Sequence, residues 1–228
     1  MPRSVVHEKL GASFTQVNDH SRYDRTGNLG LHTTDGSSIQ ILAEVGVEIH
    51  DDAEAVQLFR DAGATVDGMR IRFDPGHVRA LASTAPGEFE QLARNRDRSV
   101  RIGGRNLVFA PAYGSPFVRD MTGGRRYATL HDFENFVKLA YSTPYLHHSG
   151  GTVCEPTDIP VNKRHLDMVY AHLRYSDKAF MGSVTAPERA QDSIDMAKIV
   201  FGDDVVDHDC VILGNVNANS PLVWDATM

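Results

Sequence analysis

His147, His148, Cys154 and Glu155 crowd into one short stretch, Tyr145-Leu146-His147-His148-Ser149-Gly150-Gly151-Thr152-Val153-Cys154-Glu155-Pro156. These are the residue types that hold zinc, yet their spacing matches no zinc pattern. His147 and His148 are adjacent, and neighbouring residues of a strand point to opposite faces, so the two cannot readily share one ion. The expectation is that this chain binds no metal. The glycine pairs Gly103-Gly104, Gly123-Gly124 and Gly150-Gly151 lack the strand–helix context and spacing of a dinucleotide or phosphate loop, and read as turns. Asn215, Asn217 and Asn219 offer amides, although Asn also favours turns for local reasons.

The elements that must position these residues follow a repeating grammar. The stretch from Tyr145 reads as a short strand, then a glycine-hinged loop, then a helix. The same order recurs in Ala179-Phe180-Met181-Gly182-Ser183-Val184 and in Cys210-Val211-Ile212-Leu213-Gly214-Asn215-Val216-Asn217. Starts at Tyr145, Ala179 and Cys210 are close to the pitch of ~31 residues expected when eight strand–helix units share ~250 residues. The fold expected is therefore α/β: a partial TIM (β/α)8 barrel, holding about its first three strands, preceded by an α+β lead-in. Residues 1–36, poor in apolar periodicity and rich in turn formers, form an extended arm. Residues 37–128 make the lead-in, and 129–228 make the first barrel units.

Local signals fill in this frame. Ser37 or Ser38 caps a short helix that turns Ile39, Leu42 and Ala43 inward and ends at Gly46. Asp51 or Asp52 caps a second, with Ala55, Leu58 and Phe59 on one face and Gly63 as its stop. Asp67-Gly68 marks a hairpin, and Asp74-Pro75 opens a third helix burying Val78, Leu81 and Ala82. Residues 88–127 read as β-rich, with strands at 89–93, 100–102 and 107–110. The loop from Pro111 to Asp120 is unusually apolar for a surface connector. Thr129 with Asp132 forms a capping box for a helix with Phe133, Phe136, Val137 and Ala140 as its stripe. The helix starting near Asn162 buries Leu166, Val169, Tyr170 and Leu173. Thr185-Ala186-Pro187-Glu188 caps the next, which presents Ala190, Ile194, Ala197 and Phe201. Residues 203–209 make a charged connector.

Bulk properties exclude several classes. A net charge of −7 over 228 residues is opposed to a nucleic-acid footprint, despite local arginines at 94, 96, 98, 101, 125 and 126. No run approaches the ~18 apolar residues of a membrane span, and the N-terminus has no apolar core of a signal peptide. Two cysteines are too few for a disulfide framework. A cytoplasmic protein without membrane or nucleic-acid partners is expected.

Several stretches, in order, resemble the trimethylamine methyltransferase (MttB-like) superfamily. They are Leu42-Ala43-Glu44-Val45-Gly46-Val47-Glu48-Ile49, Gly114-Ser115-Pro116-Phe117-Val118-Arg119-Asp120 and Ala128-Thr129-Leu130-His131-Asp132-Phe133-Glu134-Asn135-Phe136. Val153-Cys154-Glu155-Pro156-Thr157-Asp158-Ile159-Pro160, His165-Leu166-Asp167-Met168-Val169-Tyr170 and Asp177-Lys178-Ala179-Phe180-Met181-Gly182 follow. Asn217-Ala218-Asn219-Ser220-Pro221-Leu222 resembles the family's Asn-Ser-Pro-Leu turn. Family members are roughly twice as long, which implies that about five barrel units lie outside this sequence. Pyrrolysine, used by the trimethylamine-specific branch, would lie there too, and most relatives lack it and resemble demethylases of quaternary amines such as glycine betaine.

The resemblance implies a corrinoid-dependent methyltransferase with a TIM-barrel fold, here as an N-terminal portion inactive by itself. A methyl group would pass from a methylated, quaternary amine to the Co(I) of a corrinoid (cobalamin) carried by a cognate partner protein. A quaternary ammonium leaves as a neutral amine, so the protein's task is to hold a cation, exclude water and expose one methyl. Aromatic faces suit that cation. With barrel chemistry at the strands' carboxyl ends, the substrate-binding candidates are Tyr113, His148, Glu155, Asn215, Asn217 and Asn219. Gly150, Gly151, Met181, Gly182 and Ser220 are the corrinoid-facing candidates. Glu155 could equally cap the next helix or pair with a basic neighbour, and Tyr113 could simply pack in its loop. A homo-oligomer is expected at full length. The alternative is a non-catalytic half-barrel that works as a subunit or binding module with a second chain. An unrelated TIM-barrel hydrolase or lyase is opposed by the ordered motifs.

Overall fold

The computed structural model describes residues 38–226 except Val184, Asn217, Ser220 and Pro221. In chain order the elements are α1 (38–44), β1 (Val47–His50), α2 (Ala53–Asp61), β2 (Thr65–Asp67), β3 (Arg70–Arg72) and α3 (Pro75–Ala82). Next come β4 (Glu88–Gln91), β5 (Val100–Gly103), β6 (Phe117–Asp120), β7 (Gly124–Tyr127), α4 (Leu130–Ser142) and α5 (Arg164–Tyr175). Last are β8 (Phe180–Met181), α6 (Pro187–Phe201), α7 (Asp203–His208), β9 (Ile212–Leu213) and β10 (Val223–Asp225). The architecture is mixed α/β, with no closed barrel among the described residues. Two compact units divide it. Of the described residues, one takes those up to Gly87, 103–105 and those from Val216 on; the other takes those within 88–102 and 106–215.

The first unit is built on the sheet β10-β1-β3-β2. Strand β1, which the sequence reading left out, alternates in and out: Val47 and Ile49 are buried, and Glu48 faces Arg70 and His50. Val47, Ile49 and Ile71 form the core with Leu42, Val56, Phe59 and Trp224 around them. Asp52 and Asp74 cap α2 and α3 as expected, accepting from Ala55 N–H and from Gly76 and His77 N–H. Asp67 pairs with Arg70, so the hairpin loop is Gly68-Met69, with φ +60° at Gly68, the position where a type II′ turn calls for glycine.

The second unit departs from expectation in several places. Residues 107–110 form no strand. Their backbone serves the neighbouring segment instead, the Phe109 carbonyl accepting from His147 and His148 N–H. The expected loop up to Asp120 ends in strand: β6 pairs antiparallel with β7, and Asp120 closes the turn by accepting from the N–H groups of Thr122 and Gly123. The expected first barrel strand at Tyr145 has no regular strand conformation over 145–150. The segment still hydrogen-bonds to the second repeat, Ser149 N–H to Ala179 O and Met181 N–H to Gly150 O, with both sequences rising in the same direction. β8 in turn pairs parallel with β9, Phe180 facing Ile212 and Met181 facing Leu213.

Helix α4 has its capping box, Asp132 N–H to Thr129 Oγ1 and Thr129 N–H to Asp132, and buries Phe133, Val137 and Ala140. Phe136, expected in that stripe, is 38 % exposed. Helix α5 is turned away from the expected face: Leu166 and Tyr170 look outward, while His165, Met168, Val169, Ala171 and His172 are buried. An apolar-only count missed this face because two of its members are histidines that find partners inside. Thr185 does not cap α6. Ala186 holds the cap position without a side-chain bond, and Thr185 Oγ1 accepts from Arg189. Residues 203–208 of the charged connector are helical, as α7.

Candidate functional site

Because the 147–150 segment, β8 and β9 run in one direction, the residues that follow them emerge at a common edge. A buried polar network sits directly beneath. Gly150 N–H donates to His148 Nδ1 at 2.9 Å, so His148 carries its proton on Nε2 and donates to Gln91 Oε1 at 3.1 Å. The Gln91 amide then donates to Phe180 O at 2.7 Å and to Val211 O at 3.3 Å. One fully buried amide from β4 thus ties all three repeats.

His172 of α5 does the same for the glycine turn. Its Nε2 donates to Gly151 O at 2.8 Å, which leaves Nδ1 to accept from the Ser149 hydroxyl at 2.8 Å. Its ring meets Phe133 edge-on and stacks beside Phe180. Burial pushes both histidines down from 6.5 to about 4, and the neighbouring His172 adds to the effect at His148. Both rings are neutral at neutral pH, with every nitrogen engaged.

Lys178 ties the end of α4 to the segment that follows it. Its buried ammonium donates to Ala140 O, Thr143 O and Leu146 O at 2.7–3.0 Å, closing the C-terminal end of α4 where carbonyls lack helical donors. Gln91, Ser149, His172 and Lys178 were not among the sequence candidates, since periodicity counts only apolar residues. Their partners lie far away in sequence, so no local pattern marks them.

The sequence candidates among the described residues have definite settings. Tyr113 is 45 % exposed, and its loop is anchored to the strand end by Gly114 N–H to Thr152 O and Glu155 N–H to Ser115 O. Tyr113 and Glu155 therefore flank one rim. The Glu155 carboxylate pairs with Arg164. Gly151, Met181 and Gly182 come together with Thr152, Met168, Val169, His172 and Ser183 around a void of about 10 Å³, at the lower limit for one water. The glycines have reasons inside the chain. A Cβ on Gly150 would meet Val153 and Pro111, one on Gly151 would meet Met181, and one on Gly182 would lie 2.7 Å from Ile212. Asn215 is half-buried just after β9, and Asn219 is exposed, its backbone paired with Val223. Asn217 and Ser220 lie outside the described residues.

The thiols are inert: burial pushes Cys154 up to about 12 and Cys210 to about 11. Among the described residues no group of three or more His, Cys, Asp or Glu is placed to hold a metal ion. No helix among them is long and apolar enough to cross a membrane. A second cleft of about 210 Å³ is lined by Pro111, Ala112, Phe136, Leu139, Ala140, Thr143, Leu146 and Val153, an apolar lining with a single aromatic ring and no charge.

A family model described as trimethylamine methyltransferase (MTTB) matches residues 6–228. Among characterised relatives, the chain is 43 % identical over 193 residues to the glycine betaine methyltransferase of Desulfitobacterium hafniense (strain Y51), covering 84 % of this chain and 40 % of that protein. It is 28 % identical over 195 residues to the proline betaine:corrinoid methyltransferase of Eubacterium limosum, covering 81 % of this chain and 39 % of that protein. The chain thus spans about 40 % of the length of the relatives it matches. It belongs to the trimethylamine methyltransferase (MTTB) family.

Proposed function

We propose that this chain is part of a corrinoid-dependent methyltransferase that takes a methyl group from a quaternary amine of the glycine betaine type. The observation that carries the reading is the 43 % identity to a glycine betaine methyltransferase across most of the chain. We also infer that the 147–150 segment, β8 and β9 are neighbouring strands of a (β/α)8 barrel. The parallel pairing and the helices α5 and α6 between the repeats support that.

The corrinoid, carried by a partner protein, supplies when bound the nucleophile that accepts the methyl group. The residues here fit a ring held by that partner. His148 and His172 spend both ring nitrogens within the chain, so neither is free to ligate cobalt. What this chain contributes is positioning. The His148–Gln91 and His172–Ser149 contacts fix the Gly150-Gly151 turn, with Met181 and Gly182 beside it. Tyr113 supplies an aromatic face to the cation, and Glu155, with Arg164 holding its carboxylate, adds charge at the same rim. Asn215, just after β9, offers an amide to a substrate carboxylate. No proton donor is needed, because the amine leaves neutral.

A second reading, a subunit that works only with another chain, is favoured by the exposed apolar side chains Leu139, Tyr145 and Ile199. Calorimetric titration with glycine betaine, proline betaine, trimethylamine and dimethylglycine, using protein expressed from the longest reading frame containing this sequence, tests the proposal. Binding of a betaine in preference to its demethylated product supports it, and no binding of any methylated amine removes it.

A further inference from the structure

The hairpin β6–β7 carries an unusual outer face. Alternation sends Val118 into the core with Phe133, Val137 and Val153, so Phe117, Arg119, Arg125 and Tyr127 share the opposite face. Arg119 lies directly across from Arg125, and Phe117 across from Tyr127. Like charges facing each other on paired strands destabilise a hairpin, so this pairing is not there for the hairpin's sake. Carboxylates are near, but both are taken on the other face: Asp120 and Asp132 bind Arg126. Among the described residues the Arg119 side chain makes no hydrogen bond or ion pair, and the Arg125 guanidinium stacks 3.8 Å above the Phe117 ring, whose centroid is 4.6 Å from that of Tyr127. Tyr127 is 61 % exposed. In a chain of net charge −7, this is a cationic and aromatic platform held out to solvent.

Its location matters as much as its composition. Pro116 O accepts from Ala128 N–H across the base of the hairpin, Ser115 O accepts from Glu155 N–H, and Thr152 O accepts from Gly114 N–H. The platform is therefore rooted in the rim formed by the residues after the 147–150 segment. A partner that delivers a methyl acceptor to that rim must pass beside it.

We propose that the Phe117/Arg119/Arg125/Tyr127 face docks an acidic surface of the corrinoid-carrying partner protein, its two guanidiniums reading paired carboxylates and its two rings packing the centre of the contact. This rests on the methyl-transfer reading. Planar guanidinium forks match carboxylates bidentately, and arginine and tyrosine are enriched where interfaces carry their binding energy. Charge complementarity of this kind acts chiefly through the association rate and is weakened by salt.

The test is surface-plasmon-resonance binding of the cognate cobalamin-loaded corrinoid protein to the wild type, to the Arg119→Gln/Arg125→Gln pair and to the Arg119→Glu/Arg125→Glu pair. Unfolding midpoints check that each variant is folded, and the single Arg119→Glu variant, which removes the like-charge pairing, substitutes for any that is not. The expected result is a Kd weakened about tenfold or more on charge reversal, an intermediate loss with glutamine, and a flatter salt dependence of the association rate in both. Wild-type affinity and salt dependence in the reversed variant would overturn the docking proposal and leave the methyl-transfer reading intact. A wild type that does not bind the corrinoid protein at low salt would remove that reading, and the docking proposal with it.

Discussion

Lowering the pH from neutral towards about pH 4.5 should weaken the fold through two buried histidines, His148 and His172. His148 and His172 are held neutral, near 4 rather than 6.5, and both use Nδ1 as an acceptor. Between those two values the unfolded chain takes up protons that the native chain refuses, so stability is full above 6.5 and falls as the pH drops towards 4. Each ring would cost about 2 kcal/mol at about pH 5 and about 3 kcal/mol at about pH 4, so the pair removes roughly 4 kcal/mol at about pH 5, a large share of ordinary domain stability. The assay is urea unfolding across that range at constant ionic strength, with stability taken from the midpoint and slope. His172→Gln keeps a donor for Gly151 O and an acceptor for Ser149 without titrating, and should flatten the profile by about half. A wild-type stability that is level from neutral to about pH 4.5 would refute the buried neutral network.

Asp132 gives a separate acid signature. The Arg126 hydrogen bond holds its carboxyl well below the usual 3.8, so its contribution is present above 3.8 and lost only as the pH falls below that, which an Asp132→Asn comparison below about pH 4 would detect as a removed acid step. Lys178→Met, which fills the space but leaves three carbonyls without a donor, should cost on the order of 2–4 kcal/mol in urea unfolding. A cost under about half a kcal/mol would mean that water replaces the ammonium. Gly182→Ala should cost about 1–3 kcal/mol, since its Cβ would lie 2.7 Å from Ile212 and 3.0 Å from Ser193 Cβ; an unchanged thermal midpoint would show that Ile212 swings aside.

Local punctuation was legible in the sequence: the Asp52 and Asp74 caps, the Thr129–Asp132 capping box and a glycine turn at Gly68, one residue on from the expected Asp67-Gly68 loop, have their counterparts in the fold. These signals depend on neighbours in the chain, so one sequence carries them. What failed depends on distant partners. Phe109 has the composition of a strand residue, yet its carbonyl serves the backbone at His147 and His148. His165 and His172 look polar, yet they face inward because Asp192, Ser149 and Gly151 O meet them there. Thr185 resembles a cap, yet its hydroxyl is taken by Arg189. Of the proposed rim, Tyr113 and Glu155 could be picked out by residue type, whereas the buried Gln91 and Lys178 reach carbonyls in segments far away in sequence.

The most direct test of the whole account follows the methyl group. Protein expressed from the longest reading frame containing this sequence is incubated with methyl-labelled glycine betaine and its partner corrinoid protein reduced to Co(I). Label appearing on the corrinoid protein, with dimethylglycine formed in equal amount, is the predicted result. No label transferred from glycine betaine or any other methylated amine, with the corrinoid shown to be reduced, would contradict it.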